Sequence, residues 1–444
     1  MSKTKESGIS WIGTIPVDWQ TNKIKYISTL KGRIGWQGLT SEEYCDEGAF
    51  LITGTDFVNG GINWDTCVHV PMKRWEEAHD IQIENGDLLI TKDGTIGKVA
   101  IVDGLTAPTS LNSGVLRIST ISGYDRRFLY WVLQSDVFWT WYAIKNAGNS
   151  TIQHLYQGDF AEFKYTIPKI NEQKIIANFL DKQCSQIDSI IIDLKTQLEL
   201  LQNHKRRLIT ETVSRGINNS EPRKYSGIEY IGCIPSSWET KKVKYVIAGI
   251  KDGTHGTFDR VSSGKPLLSA KNVFDDGLHI SDSESEISEK DFNLIVSNGY
   301  PQRNDVLLCC VGTIGRCCVY EYNEPVAFQR SVTFLRPLST TNPKYLAYCL
   351  KSESTLIQEQ LLTNKSAQDG LYMGAVKELI IPFTENIDEQ VKIVEFLDKQ
   401  CGRIDSVISE KQKQIEVMQQ HKKSLIYEFV TGKKRVKENK SCQL

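Results

Sequence analysis

The chain has 444 residues, enough for two to four domains with cores of their own. Its 53 Lys and Arg against 54 Asp and Glu leave a formal net charge of −1. Bulk electrostatics therefore give no nucleic-acid signature, and phosphate contacts would need basic residues clustered on one face or supplied by a partner. No run of 18 apolar residues occurs and the opening MSKTKESGIS has no apolar stretch, so neither a membrane span nor a signal peptide is expected and the cytoplasm is.

In chain order, most of the sequence is said twice. FLDKQCSQIDS begins at 179 and FLDKQCGRIDS at 396, an offset of 217. GISWIGTIPVDW (8–19) returns as GIEYIGCIPSSW (227–238). GDLLITKDGTIGK (86–98) returns as NDVLLCCVGTIGR (304–316), and FLYWVLQS (128–135) as YLAYCLKS (345–352). Two similar modules on a common frame follow from this internal repeat.

The mixed segments, roughly 20–165 and 239–380, hold short apolar runs broken by Gly, Asn and Asp. They read as a twisted, mostly antiparallel sheet with a few helices, α+β in class. RRFLYWVLQSDVFWTWY (126–142) reads as a helix on that sheet, its tryptophans core rather than a base-stacking platform. The GTIG turns lack the spacing of a phosphate-binding loop, because Val99 follows Lys98 and copy two has Arg316. A glycine hairpin between two strands is expected, with Lys92, Lys98 and Arg316 close enough to meet phosphate.

Each mixed segment ends in an Ile-Pro pair, Ile167-Pro168 and Ile381-Pro382, followed by a long amphipathic stretch. Apolar residues recur from Leu180 through Cys184, Ile187, Ile191, Leu194, Leu198 and Leu201, break at Lys205 and resume at Leu208. The copy repeats this from Leu397 to Leu425, with breaks at Lys411 and Lys422. Steps alternating four and three give the coiled-coil period. Asn171 and Asp388 are the expected N-caps, and Gly216 and Gly432 the expected stops. About 40 residues at ~1.5 Å each make a rod of roughly 60 Å, its stripe covered by the other copy.

The 11 cysteines are expected to be thiols. Cys309, Cys310, Cys317 and Cys318 have poor metal spacing and no counterparts in copy one, so they read as small core residues flanking a turn. Cys184 and Cys401 read as seam residues. No catalytic signature is found: no adjacent prolines for an amino-methyltransferase motif, no F-x-G-x-G loop, and no Pro-Asp for a nuclease. His255 is the single histidine in a suggestive loop.

The doubled W-I-G-x-I-P-x-x-W opening, the strand pair around G-T-I-G, the I-P segment before E-Q and the F-L-D-K-Q helix together resemble the specificity subunit of Type I restriction–modification systems, over essentially the whole chain. The resemblance implies two target recognition domains separated by two antiparallel coiled-coil helices. These would span residues 1–170 and 217–387 for the domains, 171–216 and 388–432 for the helices, and 433–444 for a basic tail. It implies a non-catalytic subunit that binds a bipartite asymmetric site on double-stranded DNA. It also implies two modification subunits and added restriction subunits, with S-adenosylmethionine, ATP and Mg on those partners and no cofactor in this chain. A fused DNA methyltransferase and a coiled-coil scaffold are the alternatives.

Loops that differ between the copies are the expected readers of the two half-sites. Arg33, Trp36 and Gln37 face Lys251, Asp252, Thr254 and His255 after the first strand. Thr55 and Asp56 face Lys271 and Asn272, and Asn112 faces Gln329 and Arg330. Arg and Lys suit guanine, Asn and Gln adenine, and Asp accepts from cytosine; the plain alternative for each is an ordinary polar loop.

Overall fold

The structure, a computed structural model, describes residues 3–33, 39–147, 154–218, 220–363 and 370–436. The chain forms two compact units, one of residues 1–194 with 414–444 and one of residues 195–413. The long helices run Ile170–Arg215 and Ile387–Val430. Each unit therefore combines one mixed segment with part of both helices.

In the first unit a four-stranded antiparallel sheet has the order Val99–Ile101, Leu88–Thr91, Val115–Thr120, Ser28–Gly32. Leu88–Thr91 is buried at every position, so both its faces are covered. The expected single sheet is in fact divided. A smaller sheet sets Thr109–Leu111 parallel to Ala49–Ile52, and a separate antiparallel pair joins Gln20–Lys23 to Lys164–Ile167. The parallel pairing is possible because some fifty residues of chain lie between its strands (52 to 109), ample for a crossover. The second unit repeats the plan: Ile247–Asp252, Val332–Pro337, Val306–Cys309 and Cys317–Val319 in one antiparallel sheet, and Lys265–Leu268 parallel to Ala327–Phe328.

Stretch 126–142 is two helices, not one: Arg126–Gln134 and Asp136–Lys145. Ser135 between them is extended, with its hydroxyl donating to Val132 O at 2.6 Å and accepting from Val137 N at 3.2 Å. One serine thus closes the first helix and caps the second. Trp131 and Trp141 are buried in the core with Trp19, Phe128 and Phe138.

Within each unit the long helices pack antiparallel. In the first, the Phe179 and Phe429 rings meet at a tilt with centroids 4.5 Å apart, and Leu180 and Cys184 share a core with Ile426 and Val430. In the second, Ile209 and Val213 share one with Ile393, Val394, Leu397 and Cys401. Both helices stop as expected, with Gly216 and Gly432 at φ of 66° and 71°. The expected caps are displaced. Asn171 and Asp388 lie inside the first turns, and it is Asn386 whose side chain accepts from Asp388 N and Glu389 N at 3.1 and 3.3 Å.

The doubled motifs are joints of this frame. Trp19 and Trp238, both fully buried, donate from Nε1 to Glu172 and Glu389 in the first helical turns, each at 3.1 Å. Pro16 and Trp19 leave so little room at Gly432 that a Cβ there would meet Pro16 at 2.6 Å. The glutamine of E-Q is buried in both copies. Gln173 accepts from Asp125 N and Gln390 from Asn342 N, each at 2.7 Å, tying the long helix to the cap of a helix on the sheet. The aspartate of F-L-D-K-Q binds that same helix, Asp181 with Arg127 and Trp131, Asp398 with Lys344 and Tyr348.

Candidate nucleic-acid interface

In the first unit four connections meet at one end of the sheets. Turn 53–56 is tied to the GTIG hairpin where Lys98 Nζ donates to Gly54 O at 3.4 Å. Asn112 N donates to Ile52 O at 2.9 Å, and Lys92 N to Gly114 O at 2.8 Å. The hairpin is as expected, with Leu88–Thr91 and Val99–Ile101 antiparallel and Gly94 and Gly97 at φ of 69° and 79°. Leu155 N donates to Lys92 O, which brings in a residue that the sequence did not single out. His154 Nδ1 lies 2.6 Å from Asp93 Oδ1, both half-exposed. The only sequence signal for this pair is that copy two has Val311 and Gly370 in their places.

The second unit gathers the corresponding connections. Thr254 N donates to Phe328 O at 2.7 Å and Arg330 N to Thr254 O at 2.9 Å, so the loop after the first strand lies beside Gln329 and Arg330. Gln329 N donates to Leu268 O, and Ser331 Oγ accepts from Ala270 N at 3.1 Å, adding turn 269–272. A cavity of about 310 Å³ opens here, lined by Lys251, Asp252, Thr254, His255, Asn298 and Tyr300 among others. Asp252 is held by Thr333, whose Oγ1 donates to Oδ1 at 2.5 Å. Its Oδ2 lies 3.7 Å from the exposed His255 Nε2.

The expected readers are not alike. Asp56 is fully buried, accepting from Thr53 N and Oγ1 at 2.7 and 2.9 Å and from Thr66 Oγ1 at 2.8 Å. Asn272 is equally enclosed, accepting from Ser269 N and donating to His279 O and Glu284. Both hold their turns, with their polar atoms engaged inside the unit. Arg33 is engaged inside the unit as well. It is buried, and its guanidinium donates to Leu111 O at 2.8 Å and Ser110 Oγ at 3.1 Å. Burial, ahead of the nearby Arg74 charge, lowers its pKa.

Lys271 reaches outward but is paired with Glu284 at 2.6 Å, and this lysine holds the carboxyl below its ordinary pKa. Arg316 lies over the Phe274 ring at 5.0 Å and lines a groove against the central helix. Thr55, His255 and Arg330 are exposed, and Asn112 accepts from Gly114 N and Ser113 Oγ. Trp36 and Gln37 lie outside the described residues.

The clustered cysteines are core. Cys309, Cys310, Cys317 and Cys318 are buried on or beside the hairpin strands, and burial pushes the Cys310 and Cys318 thiols up to about 12. That disfavours the thiolate a metal would need. Cys184 and Cys401 are buried at the helix contact.

The family model described as Type I restriction modification DNA specificity domain matches twice, over residues 16–200 and 235–417. The chain belongs to this family: it is a DNA specificity subunit of a type I restriction–modification system, a non-catalytic subunit of that complex. The MjaVIII specificity subunit of Methanocaldococcus jannaschii is 24% identical over 444 residues, covering 95% of this chain and 94% of that one. The EcoBI specificity subunit of Escherichia coli is 23% identical over 374 residues, covering 81% and 75%. A solved chain from "Structural basis underlying complex assembly and conformational transition of the type I R-M system" superposes with a TM-score of 0.68 at 14% identity, over 94% of this chain and 99% of that one. At that identity it speaks for the fold alone.

Proposed function

We propose that each unit reads one half of a bipartite, asymmetric target on double-stranded DNA, the first through the cluster around Thr55, Asn112 and Asp93–His154, the second through Asp252–His255 and Arg330. The chain carries two modification subunits, and restriction subunits join for cleavage. S-adenosylmethionine, ATP and Mg belong to those partners, and this chain works without a cofactor, in the cytoplasm. Among the described residues no helix is long and apolar enough to cross a membrane.

One observation carries the reading. The frame contacts of Trp19 and Trp238, Gln173 and Gln390, and Asp181 and Asp398 are the same in both units. The connections at the sheet ends share the GTIG turn but differ in most of the side chains around it: Asp93 and His154 against Val311 and Gly370, Thr55 against Lys271, Asn112 against Gln329. A fixed frame bearing different donors and acceptors is what reading two unrelated half-sites requires. The test is to exchange residues 239–380 for those of a relative and to sequence the methylated sites in a host carrying the whole system. One half of the target should change and the other persist; an exchange that altered both halves would overturn the two-reader assignment.

A further inference from the structure

One exposed cluster is duplicated as faithfully as the buried frame. In the first unit a short turn of helix, Ile24–Tyr26, is pinned by the fully buried Ile24, whose N–H donates to Phe163 O at 2.8 Å. Tyr26 projects from it and is 60% exposed, with Lys25 Nζ 5.1 Å from its ring centroid. Lys23 pairs with Glu162 at 2.5 Å and Lys25 pairs with the other oxygen of the same carboxylate.

The second unit reproduces each feature. Val243 is buried and bonded to Leu379 O at 2.8 Å, and Tyr245 is 63% exposed beneath Lys244 at 5.3 Å. Lys242 and Lys244 share Glu378 at 2.6 and 2.7 Å. Both carboxyls are held down to about 2 by their two lysines. A shallow concavity of about 520 Å³ opens beside Tyr245, lined by Thr240, Lys241, Lys242 and Ile380.

Packing explains the buried Ile24 and Val243, but it does not explain two tyrosines left in solvent in the same pose. We propose that the Tyr26–Lys25–Glu162 and Tyr245–Lys244–Glu378 patches are equivalent docking sites, each taken by one modification subunit. The inference rests on the two-subunit stoichiometry proposed above. A partner present in two identical copies needs the same surface twice, whereas two different half-sites need different ones. An exposed tyrosine ringed by mixed charge is the kind of anchor that protein interfaces favour.

Two observations argue for a protein rather than DNA. In each patch one glutamate already engages both lysines that phosphate would engage and offsets half of their charge. The patches also lie at the far ends of strands Ser28–Gly32 and Ile247–Asp252 from the reading loops, about 17–20 Å along the strand.

The test uses the full chain with its modification subunit, titrated and weighed by native mass spectrometry. The unmodified chain should take two. Lys25→Glu with Tyr26→Ala should weaken one site about tenfold or more, Lys244→Glu with Tyr245→Ala the other, and all four changes both. These side chains are exposed, so each variant should stay folded, with thermal unfolding lowered only by the small cost of setting a new glutamate beside Glu162 or Glu378. If the fourfold variant still takes two subunits with undiminished affinity, the patches are not the docking sites, while the stoichiometry stands. If it takes two but loses DNA binding, the patches belong to DNA and the inference fails. If the unmodified chain takes only one, the stoichiometry fails and the inference with it.

Discussion

Lys422 on the C-terminal helix holds Asp188 on the central helix, its ammonium nitrogen 2.6 Å from both carboxylate oxygens. Its image under the 217-residue repeat is Lys205 with Asp405, at 2.7 Å from both oxygens. Of the three lysines that interrupt the apolar seam, Lys205 and Lys422 therefore each find an aspartate across it. The aspartates are about half-exposed, at 50% and 48%, so solvent screens each pair and its direct contribution is small. Its use is in register, since sliding one helix by a turn would leave lysine against an apolar neighbour.

Lys422→Asp should therefore cost roughly 1 kcal/mol by setting two carboxylates together, and adding Asp188→Lys should recover most of it. Urea unfolding midpoints of the single and double variants measure this directly. A double variant no more stable than the single would mean that the pair is incidental.

If the loops read DNA as proposed, buried and exposed residues in them should play different parts. Asp56→Ala and Asn272→Ala each leave buried backbone donors unpaired and should cost about 1–3 kcal/mol, with the methylated sequence unchanged wherever the variant still folds. His255→Ala and Arg330→Ala should do the reverse, leaving the melting temperature in place and relaxing only the second half-site, by about 1–3 kcal/mol for each true base contact. Melting curves and methylation sequencing on the same four variants decide it. A loss of base preference in Asp56→Ala at unchanged stability would return that residue to the readers.

This division could not be read from sequence, whereas the frame could. Repetition exposes residues that satisfy the same contact twice, which is why Trp19, Gln173, Asp181 and the seam were legible. It says nothing of which way a loop side chain turns. Arg33, Asp56 and Asn272 looked like readers because they are polar and sit where the copies differ. They differ because each unit closes its turns with its own hydrogen bonds: Gly32 packs on Leu116, whereas its counterpart Asp252 is held by Thr333. The Asp93–His154 pair escaped notice because its members are 61 residues apart and meet only once the hairpin has folded.

Glu359 is a buried acid that the repeat does not share, its image being Tyr142. It is 1% exposed, and among the described residues neither carboxylate oxygen has a hydrogen-bond partner. Burial raises its pKa from 4.5 to about 8. Between those values the folded chain binds the proton and the unfolded chain releases it. Its contribution is full below the lower value and is lost as pH rises to the upper one. Glu359→Gln should therefore stabilise the chain by roughly 1–3 kcal/mol at pH 8, with the gap narrowing towards pH 5. Unfolding midpoints at pH 5, 6.5 and 8 test it, and a gap that does not widen with pH would refute the assignment.

The seam also offers a test of what sets the distance between the proposed half-sites. The contacts of Asp188 with Lys422 and of Lys205 with Asp405 fix the helices at two points, and Leu201 and Met418 lie between these points as images of one another. Four residues inserted after Leu201 alone would put Lys205 out of step with Asp405. The same insertion after Met418 as well would keep both pairs and add about one turn, ~6 Å, to each helix. If the helices set the spacing, the matched insertion should lengthen the spacer of the methylated target by roughly one to two base pairs, at ~3.4 Å per step, with both half-sites unchanged. The single insertion should instead lower stability by breaking one register contact. Sequencing methylated sites for both variants reads the spacer and the half-sites together. A matched insertion that left the spacer as it was, or that altered either half-site, would show that the distance is set elsewhere in the complex.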